Sequence, residues 1–280
     1  MNKYTSIILL DNGSIRPQAV IQLRKLAAGL SELSGHPIEP VSLRHSDRIS
    51  QDQLGGIPAE TFTRFLHQQL TKEIKRFAVI PLFFTRNDAL TSYLPKQIEL
   101  LKDEFEELDV QIADEIYPLP DGEPGLVDIL RHHLKILTND LAGSEFSVVL
   151  VDHGSPSPQV TAVREDITRV MNQSSESPVI EQAVMERREG REYDFNGPLL
   201  QQYLTEKAES EVKSVIVLLM FFLPGKHAGD GGDIEEICAG VMEKTPGFNV
   251  RISQLIGEND VLLDILNQRL GTLLGSIKSH

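Results

Sequence analysis

Three residues in the second half of the chain have the types and order of a transition-metal site: His153, Glu186 and His227, spaced 33 and 41 residues apart. Each follows a short apolar run. Val148–Val151 opens into Asp152-His153-Gly154-Ser155. Ala183-Val184-Met185 precedes Glu186, and Phe221-Phe222-Leu223-Pro224-Gly225-Lys226 precedes His227. Two imidazoles and a carboxylate suit Fe, Co, Ni or Zn and suit Mg or Ca poorly. Imidazole ligates only when neutral, so such a site sheds its metal as acid protonates it. A neutral imidazole can also accept a proton.

Cations crowd the same stretches. Arg187, Arg188 and Arg191 follow Glu186, and Lys226 precedes His227. The loop Ala228-Gly229-Asp230-Gly231-Gly232-Asp233-Ile234 has glycines that allow close backbone approach, and Asp233 is a plausible helix N-cap. Other chemistry is poorly supported. Ser155 lacks the nucleophile-elbow pattern of hydrolases, and Asp152-His153-Gly154 lacks the arginine that precedes His-Gly in histidine phosphatases. His132-His133 reads as surface on a helix, and His36, His45 and His67 have no partner pattern.

Strands and helices alternate throughout. Strands are expected at 6–10, 38–43, 77–84, 110–113, 146–151, 179–185, 215–222 and 250–253. Helices are expected at 17–33, 59–75, 94–108, 126–137, 159–171, 198–211, 234–244 and 261–274, the first with Val20, Leu23, Leu26, Ala27 and Leu30 on one face. Strictly alternating β and α elements imply parallel sheets covered on both faces. In a flavodoxin-like order 2-1-3-4, the first strand of each sheet lies between the second and third, and ligands bind at the carboxyl edge. His153, Glu186 and His227 then converge on one crevice.

The chain is also duplicated. Leu-Leu-Asp-Asn-Gly-Ser (9–14) matches Leu-Val-Asp-His-Gly-Ser (150–155), the paired phenylalanines at 83–84 match those at 221–222, and Gly-Glu-Pro-Gly-Leu-Val-Asp-Ile-Leu (122–130) matches 257–266. The expected fold is α/β, with two tandem flavodoxin-like domains, 1–140 and 144–280, each a four-stranded parallel sheet flanked by helices. They join at Thr138–Glu145. Aligning the halves puts Asn12 at the place of His153, Arg44 at that of Glu186, and Ala89 at that of His227. A shared core without shared ligands means that the fold itself does not require them.

Composition narrows the functions further. A net charge of −14 argues against a nucleic-acid partner, which needs a basic face. The longest apolar run, Val215–Leu223, is too short to span a bilayer, and the amino terminus has too few apolar residues for a signal peptide. One cysteine, Cys238, excludes an internal disulfide and a thiolate zinc cluster. A cytoplasmic protein, monomeric or homodimeric, without membrane contact, is the expectation.

The HGS turn, the Glu after the next strand, and the GKH loop leading to Asp-Ile together resemble the class II tetrapyrrole chelatases, the sirohydrochlorin cobalt and iron chelatases of cobalamin and sirohaem biosynthesis. The resemblance covers the second half well, and the first half as a degenerate copy, as in the long, two-domain form of the family. The loop between His227 and Asp233-Ile234 is longer than the family pattern. The resemblance implies an enzyme, a metal chelatase of the lyase class, inserting Co2+, Fe2+ or Ni2+ into sirohydrochlorin or a related tetrapyrrole without ATP or an organic cofactor. It implies that His153 and His227 bind the metal or take up pyrrole protons, that Glu186 assists, that Ser155, Arg187, Arg188, Arg191 and Lys226 contact the carboxylates of the substrate, and that the two halves face each other across a cleft. The alternative is a non-catalytic protein that carries metal or tetrapyrrole.

Overall fold

The computed structural model describes residues 5–141, 145–173 and 178–278. Eight strands and eight α-helices alternate among the described residues. In the first half they are β1 (Thr5–Asp11), α1 (Pro17–Ser34), β2 (Ile38–Ser42), α2 (Phe62–Leu70), β3 (Arg76–Pro81), α3 (Leu94–Lys102), β4 (Asp109–Ile112) and α4 (Pro124–Thr138). In the second they are β5 (Phe146–Asp152), α5 (Pro158–Asn172), β6 (Ile180–Val184), α6 (Leu200–Ala208), β7 (Ser214–Leu219), α7 (Asp233–Lys244), β8 (Asn249–Ile252) and α8 (Val261–Lys278).

Two four-stranded parallel sheets result, ordered β2-β1-β3-β4 and β6-β5-β7-β8. This is the 2-1-3-4 order expected for each half. The central strands are apolar on both faces because helices cover both: Ile7–Leu10 and Val148–Val151 are at most 1% exposed. Helix α1 buries Ala19, Val20, Leu23, Leu26, Ala27 and Leu30, the stripe its periodicity predicts.

Several boundaries move for physical reasons. Helices α2 and α6 start later than the patterns at 59–75 and 198–211 suggest. Before each helix the chain stays extended against the edge strand: Ser42 N–H donates to Glu60 O (2.9 Å) and Val184 N–H to Pro198 O (3.0 Å). The segment before α3 is a π-helical turn, Ala89–Tyr93. Pro95 therefore follows a widened turn, which suits a residue that lacks an N–H and crowds the carbonyl four residues back. The pair His132-His133 does not lie wholly on the surface. His132 is exposed, whereas His133 is 2% exposed, because neighbouring helical residues point about 100° apart. Burial, aided by the charge of His132, lowers the His133 pKa.

The compact units differ from the sequence repeats by one helix each. One unit comprises residues 1–118 with 260–280, the other residues 119–259. The sequence boundary between 140 and 144 therefore does not separate them, and residues 142–144 of that join lie outside the described residues. Helix α8 packs on α1 and β3 of the first unit. A Cβ on Gly29 would come within 2.9 Å of Leu263, and Arg269 donates to the carbonyls of Glu115 (3.0 Å) and Ile116 (3.1 Å). Helix α4 packs on α5 and β7 of the second unit. Arg251 on β8 holds its end through Leu137 O (3.0 Å) and Asp140 (3.0 Å).

Candidate metal centre

The ladder between β5 and β6 continues past both strands and fixes the backbone of the site. Met185 N–H donates to Asp152 O (3.0 Å) and Glu186 N–H to His153 O (3.0 Å). The chains lie so close that Gly154, at φ +87°, is obligatory: a Cβ there would fall 1.8 Å from Glu186 O. His227 arrives from the loop after β7. That loop closes on itself through Gly225 N–H to Ala228 O (2.7 Å) and Ile234 N–H to His227 O (3.0 Å).

The side chains converge as the topology requires. His153 Nε2 lies 3.5 Å from Glu186 Oε1, and the two imidazole centroids are 4.6 Å apart at 75°. One ligand atom from each of His153, Glu186 and His227 lies within 4.8 Å of the others. Donors bound to one ion at about 2.1 Å stand no more than about 4.2 Å apart, so small side-chain rotations close the set. His227 is mostly enclosed, whereas His153 and Glu186 are half or more exposed.

Hydrogen bonding marks which ring nitrogens are free to ligate. His227 Nδ1 lies 2.8 Å from Asp233 Oδ2, and His153 Nδ1 lies 3.0 Å from Gly154 O. A carboxylate and a carbonyl only accept, so both Nδ1 atoms carry the proton and both Nε2 lone pairs are free for metal. Asp233 is thus not an N-cap. Gly232 holds that position, Asp233 is the first helical residue, and its carboxylate orients His227 with Lys226 Nζ 3.7 Å away.

Beneath the HGS turn lies a buried polar cluster not foreseen from the sequence. Arg164, 1% exposed, donates to Asp152 Oδ1 (2.5 Å), Gln182 Oε1 (3.0 Å) and Asn196 O (2.6 Å). Asp152 accepts from Gly154 N–H (3.0 Å), and Asn196 clamps the backbone of Ser155 from both sides (3.0 and 2.9 Å). Burial pushes the Asp152 carboxyl up, and Arg164 and the Gly154 amide pull it back. The signal available in the sequence was a lone arginine in the apolar stripe Val160, Val163, Ile167, Met171.

The remaining candidates are placed as follows. Ser155 Oγ accepts from Ser157 N–H (3.0 Å) at the entry of α5. Arg187 pairs with Asp194 (3.3 Å) and Gly197 O (3.1 Å), Arg188 lies over the Tyr193 ring (5.8 Å), and Arg191 is exposed at the start of a 3-10 turn. None of these arginines bonds to His153, Glu186 or His227 among the described residues. A cavity of about 670 Å³ opens beside Met185, Glu186, His227 and Asp233 and runs between α6 and α7.

Comparison with known proteins bears on the fold and on the second half of the chain. Residues 147–273 match the CbiX family model. A sirohydrochlorin ferrochelatase from the chloroplast of Arabidopsis thaliana is 24% identical over 136 residues, 49% of this chain; the match spans only 56% of that relative. SirB from Bacillus subtilis, described with Fe3+, superposes with a TM-score of 0.73 at 14% identity, covering 99% of this chain and 98% of that one. A structure of SirB in complex with cobalt gives 0.70. At such identities the likeness is one of fold, extending over both units.

Proposed function

We propose that this chain inserts a divalent metal, Fe2+ or Co2+, into sirohydrochlorin or a closely related tetrapyrrole, without ATP, a reading supported by the match of residues 147–273 to the CbiX family model. The observation that carries the proposal is the convergence of His153, Glu186 and His227 within 4.8 Å, with the Nδ1 atom of each imidazole hydrogen-bonded elsewhere so that Nε2 is left to ligate. Those groups can replace the waters of an incoming cation one by one. As the ion passes to the macrocycle, the same imidazoles are left free to accept the protons that the pyrrole N–H groups give up. Glu186, beside His153, supplies the negative charge that offsets an arriving cation or an imidazolium. The metal is a substrate, and imidazole and carboxylate donors accept several borderline divalent ions. Among the described residues no helix is long and apolar enough to cross a membrane.

The test is anaerobic absorbance spectroscopy with sirohydrochlorin and Fe2+ or Co2+, each in excess over protein. Repeated conversion to the metallated spectrum is expected, and His227→Ala should slow it about a hundredfold or more while leaving the circular dichroism unchanged. Conversion that stops at one equivalent would identify a carrier instead. Full activity in His227→Ala would remove the site assignment.

A further inference from the structure

The first unit keeps the backbone of the metal centre while reversing its charge. Gly13, at φ +91°, stands against Arg44 as Gly154 stands against Glu186: a Cβ on Gly13 would fall 1.7 Å from Arg44 O. Leu43 N–H donates to Asp11 O (2.8 Å), as Met185 N–H does to Asp152 O. Ile116 and Tyr117 N–H donate to Phe83 and Phe84 O, as Ile256 and Gly257 do to Phe221 and Phe222. Position by position, then, Asn12 stands for His153, Arg44 for Glu186 and Ala89 for His227. A cation has nothing to bind there.

Arg44 is nonetheless built in. Its guanidinium lies 5.2 Å over the Tyr93 ring, and its Nη2 donates to Asn12 Oδ1 (3.4 Å). Tyr93 ends the π-helical turn before α3. The next residue, His45, holds φ at +72°, one of two non-glycine residues with positive φ among those described. Backbone strain of this kind persists where the surroundings impose it, and it gathers at ligand sites. Among the described residues no carboxylate pairs with Arg44, although the chain carries 41 acidic residues against 27 lysines and arginines. A stacked, half-enclosed guanidinium beside a side-chain amide is an arrangement for holding a carboxylate.

We infer that the carboxyl edge of the first sheet, at Asn12 and Arg44, is a receptor for a carboxylate group, at the place that His153 and Glu186 hold in the second unit. Two sources share that chemistry: a carboxylate side chain of the tetrapyrrole, a choice that rests on the proposed function, and a free polycarboxylic acid.

Equilibrium titration of the full chain separates them, with metal-free sirohydrochlorin followed by fluorescence and with citrate followed by calorimetry. Arg44→Ala is expected to weaken one of the two by roughly tenfold or more. Arg44→Lys, which keeps the charge and loses the fork, should fall between, and circular dichroism melts show that both variants fold. Loss with sirohydrochlorin makes the macrocycle the source; loss with citrate alone makes it a small acid. Unchanged binding of both probes in folded Arg44→Ala overturns the inference. Arg44-dependent binding without any turnover would sink the chelatase reading and leave this one. Turnover with Arg44-independent binding would do the reverse.

Discussion

Each Nε2 at the candidate site owes its free lone pair to an acceptor on the other side of the ring. For His227 that acceptor is the Asp233 carboxylate, 2.8 Å away. For His153 it is only a backbone carbonyl. Asp233→Asn keeps the size of the partner but presents an amide that can donate, so the ring is free to adopt the wrong tautomer. Co2+ affinity by competition titration should drop about 10- to 100-fold, with the fold intact; an unchanged affinity would mean that the tautomer is set elsewhere. A second residue-scale contrast concerns the aspartates that end β1 and β5. Asp152 has Arg164; counting from the prolines that open α1 and α5, Leu23 takes that place in the first unit. Asp11 is left buried, its Oδ1 without a partner, and burial raises its pKa to about 6 from 3.8, against the pull of Ser42 and the Gly13 amide. A carboxyl whose folded pKa is raised stabilises the fold fully below pH 3.8, and that stability is lost as pH climbs through 6. Relative to Asp11→Asn, the wild-type chain should therefore lose about 2 kcal/mol between pH 4 and pH 7. Urea unfolding at pH 4, 5, 6 and 7 measures the difference, and parallel curves would refute it.

At the scale of elements, two glycines let the first and second strands of each unit run on together past the sheet. Gly154→Ala forces a methyl onto Glu186 O and must break the His153–Glu186 backbone contact, so both stability and metal binding should fall. Gly13→Ala makes the same clash with Arg44 O and should cost the first unit about 1–3 kcal/mol while Co2+ affinity stays unchanged. Thermal melts paired with Co2+ titration separate the two variants; equal losses of metal affinity would deny that the units do different work. The strand–turn junctions were legible in the sequence because apolar runs ending in Asp-x-Gly-Ser leave little choice, and the register of His153, Glu186 and His227 followed from strand order alone. The polar support was less legible. Arg164 had to be read from one charge in an apolar stripe, and Asn196 lies in an irregular stretch with no period to place it. Asp233 fits an N-cap by position, and only the closure of the Gly225–Gly232 loop shows that its carboxylate turns to His227 instead. Helices α2 and α6 were read too long because extended pairing at Ser42 and Val184 outweighed helix propensity in the residues before them.

At the scale of the whole chain, the sequence repeat and the compact unit are different objects. The repeat ends with α8, yet α8 belongs with α1 and β3, and its place on the second unit goes to α4. Periodicity could not show this, since both helices are amphipathic and either one suits either sheet. The exchange has an energetic consequence. A fragment cut at the repeat boundary, 144–280, lacks α4 and carries α8 with Leu262, Ile265, Leu266, Leu270 and Leu273, all buried in the intact chain, left without their native partners. Exposing side chains of this kind costs about 1.5–3 kcal/mol each, comparable in sum to the net stability of a domain. A fragment spanning 119–259 keeps the sheet, α4 and all three metal-facing residues. It should melt cooperatively and bind Co2+ within about tenfold of the full chain's affinity, whereas 144–280 should show no cooperative transition. Circular dichroism melts and Co2+ titration of the two fragments decide the matter. Cooperative folding of 144–280, with 119–259 unfolded, would return α8 to the second unit and make the sequence repeat the folding unit after all.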